Sequence, residues 1–200
     1  MREQWEKERK HLRVPWHAPA HFGDEAKIYL ITAACFEHQH FLKNPERLTE
    51  YEKKLTNLIT SLADSEMKAW VVLPNHYHVL AKVNLSELRP KLGKLHNGSS
   101  TQWNREDGTP GRQVWYRFTD RAIRSERHLY ATVNYIHSNP VKHGLVGKAP
   151  EWPWSSFSDY EAKHGVSELR RWWKEYPVDG MMSLKCEDAA LRHALRTLCL

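Results

Sequence analysis

Two runs of strand-forming residues, separated by only two residues, constrain the fold of this chain more than any other feature. The run MKAWVVL occupies 67–73, a Pro-Asn pair follows it, and the run HYHVLAKV occupies 76–83. So short a link predicts a tight turn, and the two runs are therefore predicted to form an antiparallel hairpin. Side chains two residues apart in a strand point to the same face, so His76 and His78 are predicted to converge.

Further strands and helices are predicted on both sides of this hairpin. The β-rich run 27–35 predicts a strand, and QVWYRFTDRAI at 113–123 predicts a fourth strand or an extended segment. Apolar residues at steps of three and four predict a helix from Pro45, and another helix is predicted at 85–103. This order indicates an α+β domain with a largely antiparallel, ferredoxin-like sheet.

The second half of the chain is predicted to add one long helix and one terminal helix. The long helix covers about 125–138, with Ser125 as its N-cap, and is expected to end at Asn139, the residue before a proline. The segment 144–163 is rich in Pro and Trp and is predicted to be irregular and to pack back on the domain. A terminal helix is predicted at 187–199, with a leucine stripe that packs inward or against a partner: Leu191, Leu195 and Leu198.

Composition narrows the class of partner. The 200 residues carry a net charge of +6, which favours an anionic partner, with nucleic acid first; a merely basic surface is an equally good reading. No apolar run is long enough to cross a membrane, and the charged N-terminal stretch lacks the apolar centre of a signal peptide, so a cytoplasmic location is expected. The three cysteines show no CxxC pairing and are expected to be reduced.

Two histidine pairs compete for a metal-binding role. His38 and His40 follow the first predicted strand among polar residues, where a solvated loop is expected, whereas His76 and His78 lie inside a strand. The strand pair is therefore favoured. Two imidazoles do not complete a catalytic metal site, which also needs a third protein ligand and open positions. A zinc protease has no support, because HExxH is absent.

Tyr135 and Asn139 are candidates to complete such a site. They are four residues apart in the long predicted helix, which places them side by side. Tyr135 would present a phenol oxygen, and Asn139 an amide oxygen that suits a hard metal ion. The alternative is structural, with the tyrosine packed on the flank of the helix and the asparagine capping its end. The spacing alone leaves both alternatives open.

Four motifs in a fixed order resemble those of a known family. PNHYH after an apolar strand is followed by WYRFTDRAIR, then YIHSNPVKHGLV, then WPWSSF. Over about residues 27–160 the chain resembles the REP-associated tyrosine transposases, HUH single-strand endonucleases with one catalytic tyrosine. The resemblance implies that the HUH motif lies on a central strand and the catalytic tyrosine on a helix. One departure is Tyr77, since the middle residue of HUH is typically aliphatic.

The resemblance also implies roles for individual residues. His76, His78 and Asn139 match the metal ligands, with Mg²⁺ or Mn²⁺ as the cofactor, and Tyr135 matches the nucleophile. Related insertion-sequence transposases usually have Gln at the position of Asn139. Three other tyrosines are less favoured as nucleophiles: Tyr77, Tyr116 and Tyr130. The basic residues around the tyrosine helix are expected to bind DNA phosphates: Arg112, Arg117, Arg121, Arg124, Arg127, Lys142 and His143.

The implied function is a metal-dependent endonuclease and strand-transferase. It would cleave single-stranded DNA near hairpin-forming repeats through a 5′-phosphotyrosine, as a monomer or a homodimer. A DNA-binding protein that does not cleave is the alternative, and a structural zinc protein is a third reading. The implied domains are an N-terminal arm (1–26), the catalytic domain (27–163) and a C-terminal extension that contains the terminal helix (164–200).

Overall fold

The hairpin forms as the sequence predicts. In the computed structural model, which describes residues 26–178, strand β2 (Glu66–Leu73) pairs antiparallel with strand β3 (His76–Val83). Leu73 lies directly opposite His76, so only two residues form the turn between them. The hairpin is therefore the tight connection that its two-residue link requires.

Two more strands complete a four-stranded sheet. Strand β1 (Lys27–Ala34) pairs antiparallel with β3 on one side and with β4 (Thr119–Ala122) on the other. The strand order is β2-β3-β1-β4, which places β3 and β1 in the interior of the sheet. With a helix after β1 and another after β3, this is the ferredoxin-like arrangement, and the predicted α+β class is confirmed.

Helices cover both faces of the sheet. Helices α1 (Pro45–Thr60) and α2 (Leu85–Glu106) lie on the face that carries the Tyr77 side chain, and α3 (Glu126–Lys142) lies on the face that carries His78. Two short helices follow in the chain, α4 (Phe157–His164) and α5 (Val166–Glu175). Two 3₁₀ turns complete the regular elements of the described residues: Phe36–His38 and Ala149–Glu151.

An aromatic cluster anchors β3 between the helices and the sheet. The ring of Tyr77 packs against Tyr51 of α1, His96 of α2 and Trp115, and all four residues are buried. The Tyr77 hydroxyl lies 3.0 Å from His96 Nε2, so its polar atom is satisfied inside the core. Since side chains alternate along a strand, this burial of Tyr77 turns His76 and His78 to the opposite face.

The end of helix α3 differs from the prediction, whereas its start does not. Ser125 caps its start as predicted, since its side chain accepts a hydrogen bond from the backbone N–H of His128. The helix does not end at Asn139, however, but continues through Pro140 to Lys142. Asn139 and Pro140 are both buried, and Asn139 Nδ2 donates to the backbone carbonyl of Tyr135 at 2.7 Å. Tertiary burial and this side-chain bond outweigh the local cost of the proline.

The Trp-rich segment differs in part from prediction, whereas the fourth strand forms within the range that the sequence predicts. The segment 144–163 packs back on the domain, but it is not irregular throughout, because α4 begins at Phe157. Before that helix it runs along the edge of β2, where the Val72 N–H donates to the Trp154 carbonyl at 2.9 Å. At 113–123 the four residues of β4 form the strand, and Trp115 before it makes a single antiparallel bridge to Cys35, as expected for a strand or an extended segment.

The two ends of the chain lie outside the described residues. They include all but one residue of the predicted arm (1–26) and the whole predicted helix 187–199. The limits of the three predicted domains stay predictions. Among residues 26–178, no helix is both long enough and apolar enough to cross a membrane. Within the same range Cys35 is a free thiol and is buried.

A cluster of ion pairs joins the start of α1 to the end of α2. The buried Arg47 guanidinium bonds to the carboxylate of Glu106 at 2.7 Å and to that of Asp107 at 2.7 Å. Asp107 also binds Lys43 and Arg112, at 2.8 and 2.9 Å. The hydrogen bond from Arg47 is the largest cause that holds the pKa of Asp107 well below its ordinary value. Asp107 therefore stays ionised and clamps the two helices together.

Replacement of Asp107 by Asn is predicted to destabilise the fold by about 2 kcal/mol, because a charge-assisted bond to a buried guanidinium is lost. Chemical denaturation at neutral pH measures this loss. Since the folded pKa is depressed, the contribution of Asp107 is complete above about pH 4 and is lost as the pH falls through the folded pKa. The stability of the Asn variant should therefore fall less steeply in acid than that of the wild type.

The matched control is Glu50→Gln, which removes the exposed ion pair of Glu50 with Lys54 on α1 and keeps an amide oxygen that can accept from Gln102 of α2. Because solvent screens exposed pairs, its loss should stay below about 0.5 kcal/mol. Equal losses in the two variants would contradict the proposed clamp.

Candidate active site

His76 and His78 lie side by side on β3, on the face that α3 covers. Their ring centroids are 5.1 Å apart and their planes are nearly perpendicular. His78 is 4% exposed, whereas His76 is half-buried. The structure thus brings the two histidines together, as their spacing in the strand predicts.

The Nδ1 atom of each imidazole has a protein partner. His76 Nδ1 lies 2.7 Å from Asn75 Oδ1, and Asn75 Nδ2 donates to the backbone carbonyl of His38 at 3.1 Å. An amide oxygen only accepts, so His76 carries its proton on Nδ1 and leaves Nε2 with a free lone pair. His78 Nδ1 lies 2.7 Å from Thr32 Oγ1, on the neighbouring strand directly opposite it.

Tyr135 and Asn139 of α3 face this histidine pair. Tyr135 Oη lies 3.4 Å from His78 Nε2, and the centroids of the two rings are 5.1 Å apart. The side chain of Asn139 lies close enough to His76 and His78 to affect the pKa of each, while its amide nitrogen donates to the Tyr135 backbone carbonyl at 2.7 Å. The i, i+4 spacing on α3 therefore places a phenol and an amide beside the histidine pair.

Burial keeps both imidazoles neutral. Desolvation is the main cause that lowers the pKa of His78 to about 3 and that of His76 well below its ordinary value. The neighbouring His143 adds to both shifts, and the charge of Lys142 lowers the pKa of His78 further. Neutral imidazoles keep the lone pairs that a metal ion needs, so the electrostatics of the pair suit ligation.

The donor set fits a divalent metal ion. Two imidazole nitrogens and the Asn139 oxygen would supply three ligands and leave positions open for water or a substrate. Within residues 26–178, no three His, Cys, Asp or Glu side chains are grouped so that they could hold a metal, so a third protein ligand would have to be of another type, such as the amide of Asn139. A mixed nitrogen and oxygen set is compatible with Mn²⁺, and less so with Mg²⁺, which prefers oxygen.

The predicted DNA-binding residues fall into two groups. Arg112 is held within the protein, where its guanidinium bonds to Asn104 and Asp107 and stacks 4.3 Å from the Phe41 ring centroid. The others lie on or near the surface around α3. Arg121 and His143 are half-buried, and four are exposed: Arg117, Arg124, Arg127 and Lys142.

Two members of the second group contact the site directly. Lys142 Nζ lies 5.7 Å from the centroid of the Tyr135 ring, and the His143 ring lies 4.9 Å from that of His76. His143 is therefore a neighbour of the histidine pair as well as a candidate DNA contact. The last turn of α3 thus brings positive charge to the rim of the site.

The less favoured tyrosines and the second histidine pair are engaged elsewhere. Tyr77 belongs to the core on the opposite face of the sheet. Tyr116 Oη accepts a hydrogen bond from the backbone N–H of Glu37, and its ring lies 6.3 Å from that of His38. Tyr130 packs against Trp172 and Tyr176. Of these tyrosines and Tyr135, it is Tyr135 whose ring contacts His78.

Sequence reasoning missed two residues that orient the histidines. Asn75 adjoins the HYH motif. Its position in a tight turn directly before His76 is a sequence signal that could have predicted a contact between the two side chains. Thr32 lies 46 residues from His78 in sequence, and only the pairing of β1 with β3 makes them neighbours. Partners of this kind set the tautomer and the angle of metal-binding imidazoles.

Fold and site together define a ferredoxin-like α+β domain in which a histidine pair faces a helix-borne tyrosine. A solved REP-associated tyrosine transposase bound to a REP hairpin has the same fold. It matches with a TM-score of 0.56 and 22% identity, over 81% of this chain and 89% of that chain.

Curated proteins include two relatives of this chain. The REP-associated tyrosine transposase of Escherichia coli (strain K12) is 36% identical over 93 residues. A protein of Haemophilus influenzae that carries the same name provisionally is 31% identical over 108 residues. Each match covers 46% of this chain, and the matches cover 54% and 58% of the two relatives. No protein-family model matches. The resemblance predicted from the motifs is confirmed, and the chain is a relative of the REP-associated tyrosine transposases.

The two orienting contacts predict reciprocal effects on histidine tautomers. Asn75→Ala removes the acceptor at His76 Nδ1, so the proton of His76 should redistribute between its two ring nitrogens while His78 stays unchanged. Thr32→Val keeps the shape of the side chain and removes the hydroxyl, so it should perturb His78 and leave His76 unchanged. Long-range ¹H–¹⁵N NMR spectra of the two rings measure this, and each variant is the control for the other. An unchanged His76 tautomer in Asn75→Ala would contradict the assignment.

Proposed function

We propose that this chain is a metal-dependent single-stranded DNA endonuclease and strand-transferase that acts near hairpin-forming repeats. Tyr135 is the nucleophile, and His76, His78 and Asn139 hold Mn²⁺ or Mg²⁺. The observation that carries the proposal is the 3.4 Å approach of Tyr135 Oη to His78 Nε2, with the Asn139 side chain next to both imidazoles. The relationship to the REP-associated tyrosine transposases supports the same reaction class.

The protein residues position the reacting groups. A bound divalent ion would polarise the scissile phosphate and neutralise the charge that develops on it. Helix α3 holds the Tyr135 phenol beside the histidine pair, so a phosphate bound there meets the nucleophile without a large rearrangement. Asn75 and Thr32 orient the two imidazoles from behind. Lys142 at the rim adds positive charge next to the phenol ring.

The proposed reaction exchanges one phosphate ester for another. Tyr135 Oη forms a bond to phosphorus and loses its proton to water, while the bond from phosphorus to the 3′ oxygen breaks. The 3′ oxygen takes up a proton and leaves as a hydroxyl at the end of one fragment. The 5′ phosphate of the other fragment stays bonded to Tyr135 as a phosphotyrosine. Because the new ester retains the energy of the old one, a 3′ hydroxyl of the same or another strand can reverse the step. Strand transfer follows from this reversibility.

Tyr135→Phe is predicted to abolish covalent DNA attachment. With Mn²⁺ and a labelled single-stranded oligonucleotide that carries a hairpin, the wild type should form an adduct that survives denaturing electrophoresis. The Phe variant keeps the ring and removes the oxygen that must bond to phosphorus, so the adduct should fall at least about 1,000-fold, while DNA binding is retained.

Tyr116→Phe and Tyr130→Phe are the matched controls, since each removes one hydroxyl from a tyrosine that is engaged elsewhere. Both should keep the adduct. An adduct that persists in Tyr135→Phe would contradict the nucleophile. Tight hairpin binding by the wild type, with no cleavage under any divalent metal, would instead favour the non-cleaving DNA-binding protein.

Substitutions of two arginines are expected to have different effects, one on DNA binding and the other on the stability of the fold. Arg124 is exposed and has no ion pair within residues 26–178, so Arg124→Ala should weaken DNA binding and reduce the slope of log K against log salt by about 1. Arg112 is bonded to Asp107 and Asn104, so Arg112→Ala should lower the melting temperature and leave the slope unchanged. Fluorescence anisotropy titrations at several salt concentrations measure both slopes. The opposite pattern would place the DNA elsewhere.

A further inference from the structure

An apolar groove lies behind the tyrosine helix. It has a volume of about 760 Å³ and is lined by α3, α4, α5 and the turn Ala149–Glu151. On α3 its lining includes Asn134, Ser138 and Val141. Tyr135 and Asn139 lie on a neighbouring face of the same helix, against the histidine pair. The groove and the candidate active site thus use different faces of α3.

The large apolar side chains that are exposed in the described residues all lie in this groove. Within the described residues, three large hydrophobic side chains are exposed: Val141 at 39%, Val166 at 45% and Trp173 at 40%. All three line the groove, next to the buried Phe157 and Leu169. An exposed apolar surface of this kind, concentrated in one concave place, indicates a docking site rather than scattered surface residues.

The residues that follow Val178 in the sequence are the candidate occupant of the groove. Pro177 and Val178 line the groove, and Val178 is the last described residue, so residues 179–200 continue directly from it. These 22 residues contain leucines at spacings of four and three, the pattern of one apolar helix face: Leu191, Leu195 and Leu198. The intervening residues 179–186 span at most about 26 Å when extended, so 187–199 can fold back onto the groove.

We propose that residues 187–199 of this chain dock in the groove with their leucine face toward Val166 and Trp173. This intramolecular docking covers the exposed apolar surface that the domain otherwise leaves in water. The leucines supply an apolar face, and the groove supplies the matching concave surface. The proposal rests on the groove and on the sequence of the segment, and it is independent of the proposed chemistry.

Docking would also brace α3. Asn134 of α3 donates its side-chain N–H groups to the backbone carbonyls of Trp172 and Tyr176, at 3.0 and 2.9 Å, so α3 and α5 are already joined. A segment packed across Val141 of α3 and Trp173 of α5 adds a second connection between the two helices. The helix that carries Tyr135 is then held from behind.

The test uses the full chain and a leucine-to-serine triple variant, Leu191→Ser with Leu195→Ser and Leu198→Ser. Hydrogen–deuterium exchange should show the amides of α5 exchanging at least about tenfold faster in this variant, and its melting temperature should fall by several degrees. The matched control places three changes on the opposite face of the same segment: His193→Ser, Arg196→Ser and Thr197→Ser. The control should exchange like the wild type.

A reciprocal variant tests the groove side. Val166→Ser with Trp173→Ser changes two exposed positions, so it should fold normally while the amides of 187–199 lose their protection. Unchanged exchange of α5 in the leucine variant, or equal effects in the leucine variant and its control, would overturn the proposal. Sedimentation over a range of concentrations tests the other possible occupant of the groove, which is the same segment of a second copy. Protection of α5 that appears only with a dimer would assign the groove to the segment of a second copy and overturn intramolecular docking.

Discussion

The pairing of β3 between β1 and β2 is the constraint on which the rest of the structure depends. Because side chains alternate along a strand, one register sends Tyr77 into the aromatic core and turns His76 and His78 toward α3. A slip of one residue would exchange the two sets, burying imidazoles in the core and exposing a tyrosine. The aromatic core therefore holds the histidine pair in place, although it contacts the opposite face of the sheet.

Helix α3 is the second determinant, because it contacts two parts of the structure at once. Tyr135 and Asn139 face the histidines, while Asn134 bonds to the end of α5 on the other side. The helix passes through Pro140 without ending, and the buried Asn139 side chain bonds to the backbone one turn earlier. A shift of this helix would move the candidate nucleophile and the candidate third ligand together. Its packing therefore bears on the proposed chemistry as much as the site residues do.

Local patterns predicted the elements well where propensity and packing agree. The two-residue link defined the hairpin, and Ser125 marked the start of α3. Prediction was wrong where tertiary burial outweighed a local rule, as at Pro140. The α4 helix was missed, because the tryptophans and prolines before Phe157 suggested an irregular path through the whole segment.

The sequence by itself determined the α+β order, the face shared by His76 and His78, and the neighbourhood of Tyr135 and Asn139 on one helix. These follow from periods of two and of about four, which are local properties of strands and helices. Only the tertiary structure decided that the two pairs meet, and that Thr32 stands behind His78. Contacts between distant segments depend on strand order and helix packing, and no spacing along the chain encodes either of them.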